Sequence, residues 1–241
     1  ENYGPRRLYR GAIVGQCLGR EEERRRYLFC GDTGRTLRRL LAESGLRSAE
    51  DIYLTSLLKT VLLDKGKIKA GWIKQQATVL TIEILLTRPR YVLALGTEAA
   101  KFFFGKQKFT LQGSEGRWWP ICWDLRQSAD EEKTAENQYE FLLMPCMNPA
   151  VLEFEQTPEN AERIKRVVGS FVSTLDNNSP TGVAPIGELS ATGGSSRAAD
   201  PVASEQLYTM SNTTVTSYPV IRNIEQLGWM LEQCRDRSEL N

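Results

Sequence analysis

Residues 14–41 read VGQCLGREEERRRYLFCGDTGRTLRRLL. An apolar strand end, Ala12-Ile13-Val14, enters Gly15-Gln16-Cys17-Leu18-Gly19, then a charged run, then Phe29-Cys30-Gly31-Asp32-Thr33-Gly34 and a helix. In an open α/β sheet such a loop lies at the carboxyl end of its strand, where ligands bind. The glycines are expected to let backbone approach a ligand or take positive φ, and Asp32 or Thr33 to cap a helix starting near Gly34. Leu37, Leu40 and Leu41 would face the sheet at helical spacing, with Arg35, Arg38 and Arg39 in water.

Working outward, Gly45 closes that helix and Ile52-Tyr53-Leu54-Thr55-Ser56 forms a second strand, followed by a lysine-rich loop to Gly71. Trp72, Ile73, Ala77, Leu80 and Ile84 recur at spacings of three and four, the mark of an amphipathic helix, which Arg88-Pro89 stops. Tyr91-Val92-Leu93-Ala94-Leu95 is apolar throughout, as a strand covered on both faces should be, and Gly96-Thr97 turns into a helix over 98–104. Short extended pieces are expected around Leu111-Gln112-Gly113 and Trp118-Trp119-Pro120, and the acidic stretch 128–137 reads as a surface loop. Phe141-Leu142-Leu143-Met144-Pro145 is a further strand, leading into Cys146-Met147-Asn148-Pro149-Ala150, and a helix from Pro158 to about Leu175 closes the domain. Alternating strands and helices predict a three-layer α/β/α sandwich with a central, mostly parallel sheet over 1–175. From 176 to 217 the composition shifts to Ser, Thr, Gly, Pro, Ala and Asn, which predicts a flexible linker. Tyr218-Pro219-Val220-Ile221 then opens a second unit over 218–241.

Of the 241 residues 41% are hydrophobic and 25% charged, ordinary for a globular protein with a sizeable core, and the net charge is +1. No global basic field announces nucleic acid. Local patches do exist: Arg24, Arg25, Arg26, Arg35, Arg38 and Arg39 crowd the first motif, and Lys59, Lys65, Lys67, Lys69 and Lys74 follow the second strand. Phosphate contacts need only such a patch, although for a charge run alone a solvated face is the favoured reading. Five cysteines without a C-x-x-C pair argue against a disulfide framework and an evident zinc site, and for a reducing cytoplasm. No apolar run reaches membrane-spanning length and no signal peptide is visible; with Glu1 in first place, a missing true start is expected.

The first stretch resembles the opening motif of the uracil-DNA glycosylase superfamily, most closely its family 4 form, G-E-A-P-G-x-x-E-D followed by G-R-P-F-V-G-x-A-G and a leucine-rich helix. Gly15, Gly19, Phe29, Gly31, Gly34 and Leu37 stand in that order, and the resemblance continues to about residue 175. Residues 218–241 resemble, more briefly, the start of the 3'-5' exonuclease domain of family A DNA polymerases; the other reading is a small helix docking on the first domain. The resemblance implies DNA as partner, no membrane, and a covalently fused polymerase or exonuclease in a bacterial or phage-infected cytoplasm.

A glycosylase of this kind extrudes its target nucleotide and reads the base edge in a closed pocket. By resemblance Gln16 and Cys17 sit at the water, Gly15 lines the base site, Phe29 stacks on the base, Ser56 faces the base edge, Asn148-Pro149 approaches the pyrimidine oxygen, and Arg24, Arg35 and Lys59 meet phosphate. Each catalytic position departs from the active pattern. Gln16 replaces glutamate and cannot take a proton, Cys17 falls where family 1 carries aspartate, Ser56 replaces asparagine, and Asn148 replaces histidine in a chain with no histidine. A thiolate at Cys17 is one expectation and a small buried thiol the favoured one. Of the four cysteines that hold the iron–sulfur cluster of family 4, two would fall near Thr60 and near 76–78, where this chain has none, so no cluster is expected.

Leu95-Gly96-Thr97-Glu98-Ala99-Ala100 matches a family turn and reads as structural, Gly31 to Thr36 lacks the G-K-[ST] ending of a phosphate loop, and Trp118, Trp119 and Trp123 read as core before stacking platform. Lost base and donor would remove about 10² to 10⁴ and about 10² to 10³ in rate. The sequence therefore predicts DNA engagement in replication or repair with weak or lost glycosylase activity, fused to a polymerase. The alternative is an active enzyme hydrolysing uracil from DNA; a nucleotide-binding domain unrelated to DNA rests on fold analogy.

Overall fold

The computed structural model describes residues 9–46, 49–61, 70–105, 107–124 and 138–184. Five strands, β1 (Gly11–Gly15), β2 (Ile52–Ser56), β3 (Tyr91–Leu95), β4 (Trp119–Asp124) and β5 (Gln138–Cys146), form one sheet in the order β2-β1-β3-β5-β4. β2, β1, β3 and β5 run parallel, and β4 pairs antiparallel with β5 at the edge. The helices are α1 (Arg20–Arg25), α2 (Asp32–Glu43), α3 (Ala70–Thr87), α4 (Thr97–Phe104), α5 (Leu111–Ser114), α6 (Val151–Phe154) and α7 (Pro158–Asn177). The α/β fold with a mostly parallel central sheet stands as expected.

Strand periodicity sorts the core into two layers. Ile13, Leu93, Leu95 and Met144 meet Leu37, Leu40 and Leu41 of α2 and Ile164, Val168 and Phe171 of α7. Their neighbours Ala12, Val14, Val92 and Ala94 point the other way, onto Leu80 and Ile84 of α3 and Ala99, Ala100 and Phe103 of α4. Each fully buried large apolar side chain stabilises this arrangement by about 1.5–3 kcal/mol. Trp118, Trp119 and Trp123 lie inside it at no more than 1% exposure, so they are core and cannot stack on a strand of nucleic acid.

Several local expectations are corrected. Leu111-Gln112-Gly113 is not extended but helical, because Glu115 N–H donates to Leu111 O and Trp119 Nε1 donates to Ser114 O. The charged run is itself the helix α1, in which Glu21 pairs with Arg24 and Arg25 one turn on. α7 passes Leu175 to Asn177, and the chain then folds back beside β4: Trp118 N–H donates to Gly182 O and Ala184 N–H to Trp118 O. Ala184 is 2% exposed, so residues 176–184 belong to the folded unit rather than to a linker. The expected lysine-rich and acidic loops lie largely outside the described residues, as do the rest of the linker and the unit at 218–241.

Candidate functional site

The four parallel strands end together, with Gly15 beside Ser56 and Leu95 beside Cys146. The segments that leave them, after Gly15, Ser56, Leu95 and Cys146, carry nearly all the residues singled out from the sequence.

The first wall is the loop from Gly15 to Gly31. Its residues with positive φ are Arg26 and Phe29, not the glycines, which corrects the expectation of positive φ there. Those residues make room instead. The Phe29 ring lies over Gly15, where a Cβ would come within 3.1 Å of Cζ. The Phe29 carbonyl sits on the first turn of α2, where a Cβ on Gly34 would run into its oxygen. Arg38 is not free in water: Nε donates to Phe29 O at 3.3 Å, Nη2 to Leu28 O at 3.2 Å, and the guanidinium stands over the Tyr27 ring. Helix α2 starts at Asp32, with Gly31 rather than Asp32 or Thr33 at its cap. Gly31 N–H donates to Glu22 Oε1 at 2.9 Å, so a carboxylate from α1 holds the loop shut.

Gly96 forms the floor. At φ +92 it occupies backbone space that other residues rarely adopt, and a Cβ there would lie 3.4 Å from Gln16 Oε1 and 3.7 Å from Asn148 Nδ2. Gln16 and Asn148, both half-buried, thus converge on one glycine from strands β1 and β5. The sequence match at Leu95-Gly96 by itself suggests only a tight turn. On the second wall, Ala150 N–H donates to Asn148 Oδ1 at 3.0 Å, which leaves the amide NH₂ to face a ligand. Pro149, next in the chain, is buried.

Ser56 lies at the end of β2, 2% exposed, and its hydroxyl donates to Leu58 O at 2.8 Å. Only its oxygen lone pairs remain to read a base. Burial, then the Glu22 carboxylate, raises the Cys17 thiol above its ordinary value, and the residue packs against the aromatic layer. The shift favours the protonated thiol at neutral pH.

The three cations differ in availability. Arg24 and Arg35 are well exposed on pairs with Glu21 and Asp32, partners that phosphate can replace. Lys59 instead donates to Glu83 Oε2 at 2.6 Å and Ser56 O at 2.7 Å, and burial lowers its pKa. Thr55 joins the same carboxylate at 2.6 Å. Neither Glu22 nor Glu83 was singled out from the sequence; the E of G-x-x-E was the available signal for Glu22.

The donor set does not suit a four-cysteine iron–sulfur cluster. Thr60 and Gln76, where two ligands would fall, hydrogen-bond each other at 3.3 Å, and Gln76 also accepts from Lys59 N–H. Among the described residues no group of three or more His, Cys, Asp and Glu could hold a metal ion, and no helix is long and apolar enough to cross a membrane.

A sequence model of the family described as Uracil DNA glycosylase superfamily matches residues 2–169. The chain is 32% identical over 92 residues, 38% of its length and 46% of the relative's, to a type-4 uracil-DNA glycosylase of Archaeoglobus fulgidus. It is 23% identical over 173 residues, 68% of its length and 74% of the relative's, to a type-4 uracil-DNA glycosylase of Saccharolobus solfataricus. The match thus spans less than half the length of the Archaeoglobus protein.

Proposed function

The chain belongs to the uracil-DNA glycosylase superfamily, and on that premise we propose that it hydrolyses the N-glycosidic bond of uracil extruded from DNA, at a rate limited by an amide where a carboxylate would serve better. The observation that carries this reading is the convergence of Gln16 and Asn148 over Gly96, beside a half-buried Phe29 ring packed on Gly15. An extruded pyrimidine stacks on Phe29, and the Asn148 NH₂ donates to its O2. The bond from N1 to C1' breaks with its electron pair leaving on the base, and the charge spread to O2 is what Asn148 stabilises. Water held by Gln16 Oε1 then adds to the sugar carbon. Gln16 orients that water without taking its proton, which passes to solvent after the bond has formed. Arg24 and Arg35 hold the flanking phosphates.

A second reading has its own observation. The Ser56 hydroxyl is engaged by Leu58 O and no carboxylate stands at Gln16, which favours a DNA-holding module with little turnover, tethered in replication or repair. The fusion to a family A polymerase is proposed on Tyr218-Pro219-Val220-Ile221 and the residues after them, outside the described residues. A cytoplasmic site of action goes with it.

The deciding experiment is single-turnover incubation of the chain, in excess, with single-stranded DNA carrying one uracil, scored for abasic sites by alkaline cleavage. Product lost in both Phe29→Ala and Asn148→Ala establishes the hydrolase. Salt-dependent binding of uracil-free DNA without product establishes the holding module, and neither result would sink both.

A further inference from the structure

Asn148 works only if its backbone is held, and β5 ends at Cys146, so Met147 N–H has no strand to pair with. The side chain that answers it comes from the segment that leads into β4. Glu115, in the turn between α5 and β4, accepts Met147 N–H on Oε1 at 2.6 Å. Its other oxygen takes Nε of Arg163 from α7. The Glu115 side chain is 4% exposed and Arg163 30%. The same turn also grips the preceding residues, since Gly116 N–H donates to Pro145 O at 3.0 Å. From the opposite side Gly96 N–H donates to Cys146 O at 2.8 Å. The backbone from Pro145 to Met147 is thus clamped between Gly116, Glu115 and the floor glycine.

A neutral oxygen would satisfy Met147 N–H. A buried carboxylate does more, because a charge-assisted bond is shorter and stiffer, but only if a cation stands behind it. Arg163 is that cation. We propose that Glu115, oriented by Arg163, is a positioning residue that sets where the Asn148 amide meets the departing base. It touches no reacting atom and acts through the Met147 peptide. The proposal rests on the reading of Asn148 as donor to the pyrimidine oxygen.

Displacing a reacting group by about 1 Å can lower a rate about 10²-fold. In single-turnover excision by the whole chain, Glu115→Ala should lower the rate about 10²-fold and Glu115→Gln, which keeps an acceptor, about 10-fold, with the DNA concentration for half-saturation unchanged. In an Asn148→Ala background the same Glu115→Ala change should cost less than about 2-fold, because the group it positions is gone. An equal loss in both backgrounds, or no loss in either, overturns the proposal. Should wild type release no uracil, the reading of Asn148's role fails by itself, and nuclear magnetic resonance decides the positioning. Glu115→Gln must then shift the Asn148 side-chain NH₂ signals and speed exchange at Met147 N–H while β3 amides stay protected. Unmoved Asn148 signals overturn it.

Discussion

On the first wall of the candidate site Glu22 accepts the N–H of Gly31, nine residues further along the chain; on the second, Glu115 accepts that of Met147, thirty-two residues further. Each wall also carries a thiol raised by burial and then by that carboxylate, Cys17 beside Glu22 and Cys146 beside Glu115. The fastening is the same and its reach is not. Glu22 and Gly31 belong to one continuous stretch, so the loop around Phe29 is ordered by neighbours in sequence. Glu115 and Arg163 arrive from the α5–β4 turn and from α7, so the loop around Asn148 exists only once the sheet has assembled. Local fastening tolerates change at its own residues, whereas remote fastening couples the site to the whole domain.

The largest effects should come from the two groups that converge on Gly96. Asn148→Ala on the second wall should lower single-turnover excision by about 10² to 10³. Gln16→Glu on the first should raise it by about 10² or more, because a general base is restored at the same place. Equal, small effects of both changes would erase the functional contrast between the walls.

Gly34→Ala attacks the first wall through backbone, since the new methyl meets the Phe29 carbonyl, which no rotamer change can clear. A loss of about 3 kcal/mol in urea unfolding is expected, with Met147 amide protection in the native state retained. If that protection falls as well, the walls are not independent.

Next come the fasteners. Glu22→Ala leaves Gly31 N–H without its acceptor and should destabilise by about 1 kcal/mol, the usual effect of a lost helix cap. Glu115→Ala leaves a buried N–H unpaired and Arg163 without its partner, and about 2 kcal/mol is expected. The order of the two unfolding midpoints checks the contrast in range directly.

The smallest effect is in alkaline solution. Unfolded thiols ionise near 9.0, while Cys17 and, further still, Cys146 keep their protons in the folded state. Above that pH the unfolded chain binds fewer protons, so stability falls as pH rises. The fall in urea midpoint between pH 8 and 10 should shrink in Cys146→Ala more than in Cys17→Ser.

Much of the fold was legible because its information is local. β2 and β3 could be placed to the residue from apolar runs, α2 from its leucine spacing, α4 from the Gly96-Thr97 turn and α7 from Pro158 onward. The site was legible in part. Phe29 lies against Gly15, and Gln16 and Asn148 both approach Gly96. What escaped was set by distant contacts. Nothing local in Lys59 announces Glu83, nothing in Ser56 announces that its hydroxyl turns to Leu58 O, and nothing near Asn148 points to Glu115. Leu111-Gln112-Gly113 failed for a related reason, since a helix of four residues has almost no periodicity to read.

The return of the chain along Trp118 adds a further segment to the edge of the sheet beside β4. α7 ends at the far end of the sheet, where Asn178 meets Tyr91, but Gly182 and Ala184 pair with Trp118, two residues from the Gly116 that holds Pro145. Val183 runs parallel to Trp118, just before the Trp119 that faces Leu143, so residues 182–184 lie beside the middle of β5 rather than at the end that carries Gln16 and Asn148. Trp118 thereby has both its N–H and its carbonyl engaged on the outer side of the sheet, so at that point the edge offers no unpaired backbone groups to another strand.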